Sequence, residues 1–215
     1  MKVEIYSDVV CPWCYIGERR FARALADFPE ADQVEVMFRP YQLDPSAPME
    51  AVPHNEYLAK RYGRSVTEMH GRVEAAGEGE GITFAWDRAL TANTLTAHRL
   101  LQLAEREYGT AVQRALIERL FALHFTRGGN IADAEQLAEE AAAVGMDRAR
   151  ARAYLDSDEG LSELRAELEA ARELGIHAVP TYVFDGQWAI QGAQPVENFR
   201  EALTRILEQS ESHID

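Results

Sequence analysis

The chain has 215 residues, of which 22 are basic and 36 are acidic, so its formal net charge at pH 7 is −14. This acidity argues against nucleic acid and anionic membrane surfaces as partners, because both are bound through basic patches. The length allows one large domain, or a domain that carries an insertion. The sequence opens on a predicted strand without a signal peptide, and no apolar stretch is long enough to span a membrane, so we expect a cytoplasmic protein.

The first 40 residues predict a β-α-β unit. Residues 2–6 alternate between polar and apolar side chains, as a half-buried strand does. A helix is predicted from Pro12 to about Phe28, and a second strand covers residues 33–40, where Pro40 ends it. The chain therefore begins as an α/β protein.

The remainder predicts a helical block, a hairpin and a last helix. Four helix starts in the block have polar capping residues: Asn93, Thr110, Asp133 and Asp147. After a further helix that ends at Gly175, the segments VPTYVF and WAIQG are separated by DGQ, which is typical of a β-hairpin. The order βαβ, helical block, αββα indicates one α/β sheet domain that is interrupted by a helical insertion.

The two cysteines of the chain, Cys11 and Cys14, form a CPWC motif directly after the first strand. Pro12 suits the first helical position, which makes Cys11 the N-cap residue. There we expect its sulfur to accept hydrogen bonds from the amides of Trp13 and Cys14, and the helix dipole to lower its pKa further. Cys14, one turn inside the helix, is expected to be the more buried thiol and to resolve a mixed disulfide on Cys11. We expect Trp13 to tune the redox potential and to offer an apolar face to substrate.

A metal site is the first alternative to redox chemistry. A structural zinc ion needs four ligands, and CPWC supplies two. The histidines show no ligand spacing to one another, so we predict no metal site; they stand at positions 54, 70, 98, 124, 177 and 213. A zinc ion shared across a dimer and a pair of inert buried thiols stay open as alternatives.

A second candidate element lies far along the chain, at Val179-Pro180. A thioredoxin-type site needs a cis proline that faces the cysteine pair, and an X-Pro bond is the only peptide that adopts cis cheaply. The pair stands between a predicted helix end and a strand start, where proline loses no ladder hydrogen bond. We favour the cis isomer over an ordinary trans proline, with the Val179 backbone available to pair with an extended substrate.

Two residues of the segment NTLTAHRL are weaker candidates. If the insertion helix covers the cleft, His98 could relay a proton or meet a substrate carboxylate, and Asn93 could line the cleft. We favour the simpler interpretation, in which Asn93 caps the helix and His98 is a packed or solvated helix residue.

The segments DVVCPWCYIG, NTLTAHRL, GIHAVPTYVFDG and AIQGAQP together resemble the FrnE-like branch of the DsbA-like thioredoxin-fold oxidoreductases. The resemblance implies a thioredoxin-like fold with an inserted all-helical domain, with residues 1–50 and 160–215 in the thioredoxin-like domain and residues 51–159 in the insertion. It implies catalysis by Cys11 and Cys14 and the cis-proline role for Pro180, preceded by Val179. Some members resembling this family have a further cysteine pair near the C-terminus, which this sequence lacks.

We therefore expect a thiol–disulfide oxidoreductase without a bound cofactor, with glutathione as a possible redox partner. Its partners would be a protein with a thiol or disulfide, or a small thiol. The alternative is a glutathione-dependent enzyme of the same fold, of the 2-hydroxychromene-2-carboxylate isomerase or kappa-class transferase type; those relatives typically carry serine where Cys11 stands. A non-catalytic zinc or interaction module is the third hypothesis.

Overall fold

The computed structural model describes residues 1–62 and 66–211, with side chains described through residue 209. The strands are β1 (Lys2–Ser7), β2 (Glu35–Pro40), β3 (Val52–Pro53), β4 (Leu90–Thr91), β5 (Thr181–Phe184) and β6 (Trp188–Gln191). The α-helices are α1 (Pro12–Ala26), α2 (His54–Tyr62), α3 (Thr67–Glu78), α4 (Leu95–Tyr108), α5 (Thr110–Phe121), α6 (Ala134–Ala142), α7 (Arg148–Leu155), α8 (Leu161–Glu173) and α9 (Val196–Glu211). A short 3-10 helix covers Ala31–Gln33, and a π-helical turn, Ala122–Thr126, follows α5.

The main sheet has the strand order β2-β1-β5-β6. Strand β1 runs parallel to β2 and antiparallel to β5, so that Ile5 lies opposite both Phe38 and Tyr182. Strands β5 and β6 form the predicted hairpin, and its turn contains Asp185 at φ 47° and Gly186 at φ 68°. Both are left-handed conformations, which Asp and Gly tolerate in such turns.

Helices cover both faces of this sheet. On one face α1 packs against α9, and the ring of Phe21 lies 5.4 Å from the rings of both Tyr182 and Phe199. On the other face Tyr6 packs with Ala171 of α8. The alternation along β1 thus sends successive side chains to opposite helical layers, as its sequence pattern predicted.

Helices α2 to α7 form the predicted insertion between β2 and α8, and the order βαβ…αββα is confirmed. Asp133 and Asp147 are N-caps as predicted, with side chains that accept first-turn amides. Thr110 is instead the first residue of α5, because Gly109, at φ 89°, occupies the cap. The insertion also contains the two-stranded ribbon β3–β4, which the sequence did not predict.

The domain boundaries proposed from the sequence stay a prediction, and the last four residues of the range 160–215 lie outside the described residues. The described helices include none that combines the length and the apolar character needed to cross a bilayer.

Candidate active site

The cysteine pair stands at the start of α1, just after β1 ends. Cys11 is the N-cap with extended backbone angles (φ −92°, ψ 111°), and Pro12 follows at the first helical position, as predicted. The amide of Cys11 donates to the carbonyl of Asp8 at 2.9 Å, and the amide of Cys14 donates to the carbonyl of Cys11 at 3.0 Å. These bonds fix a tight strand-to-helix turn that holds both sulfur atoms on one side.

Both cysteines are free thiols and lie 3.4 Å apart. The expected cap by the Cys11 sulfur is wrong: among the described residues, that thiol accepts no hydrogen bond from the first-turn amides. It donates instead to the carbonyl oxygen of Val179 at 3.7 Å. A protonated thiol is a weak acceptor, and a nearby carbonyl gives it a better partner as a donor.

The two cysteines differ less in burial than the sequence predicted, since Cys11 is 3% exposed and Cys14 is 2% exposed. Burial raises the pKa of Cys14 well above its usual range, and the neighbouring Cys11 thiol raises it further. The nearby Ser7 hydroxyl and Asp8 backbone oppose this shift of the Cys14 pKa. Cys14 therefore stays protonated at neutral pH, and Cys11 is the thiol that faces the Val179 carbonyl.

The segment that faces Cys11 is Val179-Pro180, and the peptide bond between these residues is cis, the isomer that we favoured. The Pro180 carbonyl accepts the amide of Gly192 at 2.7 Å, which ties the segment to the end of β6. Helix α1 approaches it closely at Gly17, where an added Cβ would lie 2.5 Å from Tyr182 Oη and 3.2 Å from the Pro180 ring. Glycine at this position thus lets the cysteine helix lie directly on β5.

Asp8 is the residue of this site that sequence reasoning missed. Its buried carboxylate contacts Nε2 of His98 through Oδ1 at 3.2 Å and accepts the Leu43 amide through Oδ2 at 2.8 Å. His98 is buried in α4, so it is a packed helix residue that reaches the cysteine turn through Asp8. The sequence contained one signal for Asp8, namely that an acidic residue stands between a buried strand and the CPWC motif.

Asn93 has a structural position away from the thiols. Its Oδ1 accepts hydrogen bonds from Gln42 Nε2 at 2.9 Å and from the Leu95 amide at 3.0 Å, and its Nδ2 donates to the Pro45 carbonyl at 3.0 Å. The N-cap position itself belongs to Thr94. Asn93 therefore fastens the loop after β2 to the start of α4.

Trp13 is 40% exposed, an unusual position for so large an apolar side chain, and it lies between the two cysteines in the chain.

Within the residues that the structure describes, no group of three or more His, Cys, Asp or Glu side chains could hold a metal ion. His213, named among the candidate ligands, lies outside the described residues.

Residues 2–204 match the profile of the DSBA-like thioredoxin domain. The chain belongs to this family. SCO1869 from Streptomyces coelicolor, a probable DsbA oxidoreductase, is 35% identical, with a TM-score of 0.86 over 95% of this chain and 89% of its own. The predicted thioredoxin-like fold is thereby confirmed.

Two more distant relatives of this DsbA-like chain share its fold. The cytosolic disulfide reductase DsbM from Pseudomonas aeruginosa is 20% identical, with a TM-score of 0.70 over 97% of this chain and 100% of its own, and DsbM has also been solved with GSH. A 2-hydroxychromene-2-carboxylate isomerase is 16% identical, with a TM-score of 0.71 over 99% of this chain and 98% of its own. At these identities the likeness concerns the fold alone.

Proposed function

We propose that this protein is a thiol–disulfide oxidoreductase in which Cys11 is the nucleophile and Cys14 the resolving thiol. The observation that carries the proposal is the pair of free thiols 3.4 Å apart at a helix start, with Cys11 against the Val179 carbonyl. Membership of the DsbA-like family supports it. The finer assignment to the FrnE-like branch is part of the proposal and rests on the motifs of the sequence.

The first step forms a mixed disulfide. The Cys11 thiol loses its proton, and the thiolate attacks one sulfur of the substrate disulfide in line with the S–S bond. A bond forms between Cys11 and that sulfur, the substrate S–S bond breaks, and the other substrate sulfur leaves as a thiolate. The backbone of Val179 holds the substrate segment as a short added strand during this step.

The second step is intramolecular. Cys14, whose pKa is raised by burial, gives its proton to the substrate thiolate that the first step released, and its sulfur attacks the sulfur of Cys11. The Cys11–Cys14 disulfide forms and the substrate leaves as a second thiolate, so the substrate gains two electrons and the cysteine pair loses two. Two molecules of a thiol such as glutathione return the pair to the dithiol and leave as their own disulfide, and in an oxidising cycle the same steps run in reverse.

The test uses the two serine variants as a matched pair. Cys14→Ser removes the resolving thiol, so we expect a stable mixed disulfide on Cys11 when a disulfide-bonded peptide is added, detected by intact mass. Cys11→Ser should capture nothing under the same conditions. If Cys14→Ser forms no adduct and the wild type neither reduces nor oxidises the peptide, the proposed function is wrong.

The direction of electron flow follows from the reduction potential of the pair in a glutathione buffer. A value near about −120 mV would make the protein an oxidant of the DsbA kind, and one near about −270 mV a reductant of the thioredoxin kind. We propose a reducing role in the cytoplasm, by analogy with DsbM, a cytosolic disulfide reductase of the same fold. We propose that the reaction needs no bound cofactor. Its partners are a protein disulfide or thiol, or a small thiol.

The alternative function is a glutathione-dependent isomerase or transferase, which the shared fold of the 2-hydroxychromene-2-carboxylate isomerase brings into consideration. Such an enzyme would bind glutathione saturably and keep its activity in Cys14→Ser. The presence of a second thiol at position 14 favours disulfide exchange, since activation of glutathione requires no resolving cysteine.

A further inference from the structure

A cavity of about 130 Å³ lies in the insertion beside the cysteine turn. Asp8 and Val10, which directly precede Cys11, form part of its wall, and Leu43 and Tyr62, both about half exposed, form its rim. The floor contains His124, which is fully buried. We call this space the histidine cavity.

His124 is an unusual floor residue. It lies in the π-helical turn Ala122–Thr126, and single π-turns within helices are frequent at functional sites. Neither of its ring nitrogens has a hydrogen-bond partner in the part of the chain that the structure describes. Buried polar atoms are almost always paired, so an imidazole without partners at a cavity wall points to a bound molecule that supplies at least one of them.

The histidines of the cavity are uncharged at neutral pH. Burial, together with a smaller effect of a neighbouring histidine, lowers the pKa of His124 to about 3 and that of His54 to about 4. A neutral imidazole has one donor and one acceptor nitrogen, and the Nδ1 of His54 is already paired with the Thr91 hydroxyl at 2.9 Å. A hydroxyl both donates and accepts, so it can pair with the ring nitrogen of His124 that it reaches, whichever tautomer the ring adopts.

The charged groups of the wall already have partners. The Asp44 carboxylate accepts from Tyr57 at 2.6 Å and from Arg61 at 2.5 Å, and the Asp8 carboxylate contacts His98. A ligand that brought its own charge would find these partners occupied and would lose hydration without compensation. The cavity thus favours an uncharged molecule.

The size and the walls of the cavity favour a single ring. An apolar protein cavity of about 150 Å³ holds benzene, and the histidine cavity is close to that volume. Apolar side chains from four segments line it: Val10, Leu43, Ala47, Leu58 and Ala92.

We propose that the histidine cavity binds a phenol-type group, that is, one aromatic ring bearing an uncharged hydroxyl. The group is either a free phenol or the tyrosine side chain of a disulfide substrate. The second source rests on the proposed function, because the walls Asp8 and Val10 would hold such a side chain beside the sulfur of Cys11. In both cases the hydroxyl meets the His124 ring and the aromatic ring meets the apolar wall.

The binding test compares phenol with toluene, which has the same size and no hydroxyl. Each is titrated into the reduced protein and followed by NMR. For a ligand this small we expect a phenol Kd of about 1 mM. Toluene should bind about tenfold more weakly, because it cannot form the hydrogen bond that phenol forms with the imidazole. Absence of binding by either probe, with water alone filling the space, would overturn the proposal.

The residue test uses His124→Phe, which keeps an aromatic ring and removes both nitrogens. We expect phenol and toluene to bind this variant equally, while His177→Phe, at an exposed position, keeps the wild-type preference. An unchanged preference in His124→Phe contradicts the proposal. If that variant does not fold, the imidazole nitrogen signals of His124 in the wild type decide. At saturation phenol must shift them more than toluene does, because only phenol forms a hydrogen bond with the ring, and equal shifts contradict the proposal.

The source of the ring is decided with two glutathionylated peptides that differ by tyrosine or phenylalanine beside the cysteine. Faster reduction of the tyrosine peptide, with competition by free phenol, assigns the cavity to a substrate side chain. Phenol binding without an effect on either peptide assigns it to a separate small molecule. Because phenol binding is also measured in Cys11→Ser, failure of the cavity proposal stays distinguishable from failure of the redox proposal.

Discussion

Replacement of His124 by phenylalanine should flatten the dependence of stability on pH. Burial, and to a smaller extent the charge of His54, lowers the pKa of His124 from 6.5 to about 3. Between these values the unfolded chain binds a proton that the folded protein does not bind. Stability therefore rises with pH through this window and is lost as the pH falls from 6.5 towards 3.

The magnitude follows from the two pKa values. At pH 7 protonation of His124 costs the folded protein almost no stability, because the imidazole is mostly neutral in both states. At pH 5 protonation of this one ring favours the unfolded state by about 2 kcal/mol. The wild type should lose this amount between pH 7 and pH 5, in addition to what other groups contribute. His54, whose pKa burial lowers to about 4, contributes in the same window and is present in both proteins.

Urea unfolding of the wild type and of His124→Phe at several pH values between 7 and 5 measures the difference. At neutral pH the free energies of unfolding of the two proteins differ by their packing alone. As the pH falls to 5, this difference should shift by about 2 kcal/mol in favour of His124→Phe. His177→Phe, at an exposed position, serves as the control and should follow the wild type. Parallel curves for the wild type and His124→Phe would show that burial does not hold this imidazole neutral.

Three further predictions concern packing at the cysteine turn and around the buried Arg99 of α4. Gly17→Ala should lower the free energy of unfolding in urea by about 1–3 kcal/mol, because its Cβ would lie 2.5 Å from the buried phenolic oxygen of Tyr182. Gly71→Ala, whose Cβ would have nothing within 4 Å, should not destabilise the protein, and equal effects of the two variants would contradict this reasoning. His98→Leu should lower the free energy of unfolding by about 3 kcal/mol, because it leaves the Asp8 carboxylate without its imidazole partner. Adding Asp8→Asn to this variant should restore part of the lost stability, and strictly additive effects of the two substitutions would disprove their coupling. Arg99→Met should lower stability by about 3 kcal/mol, because the buried guanidinium donates to several carbonyls at the end of α7, and an unchanged urea midpoint would refute that role.

Features encoded by short-range patterns were predictable from the sequence. The alternation of β1, the Asp185-Gly186 turn, and the caps Asp133 and Asp147 all depend on residues within a few positions of one another. The position of Cys11 at a helix start belongs to the same group, since Pro12 alone indicates it.

Contacts between distant segments were not predictable in the same way. The Asp8–His98 contact joins residues 90 positions apart, and the hydrogen bond from Cys11 to Val179 joins residues 168 positions apart. Both depend on how the insertion and the hairpin fold back onto β1, which no local pattern encodes. The β3–β4 ribbon escaped prediction because each strand has two residues and one contains Pro53, too short for an alternating pattern.

The Cys11–Val179 hydrogen bond links activation of the thiol to entry of the substrate. While Cys11 is protonated, its thiol donates to the Val179 carbonyl and stays buried. A thiolate has no proton to donate, and its charge is repelled by the carbonyl oxygen, so this contact ends when Cys11 ionises. The released carbonyl is then free to accept an amide of the proposed substrate, and the sulfur is free to attack. A buried resting thiol is also the less readily oxidised one, since oxidation follows thiolate character and exposure. The same bond would thus protect the dithiol in the absence of substrate and yield to a substrate backbone that replaces it.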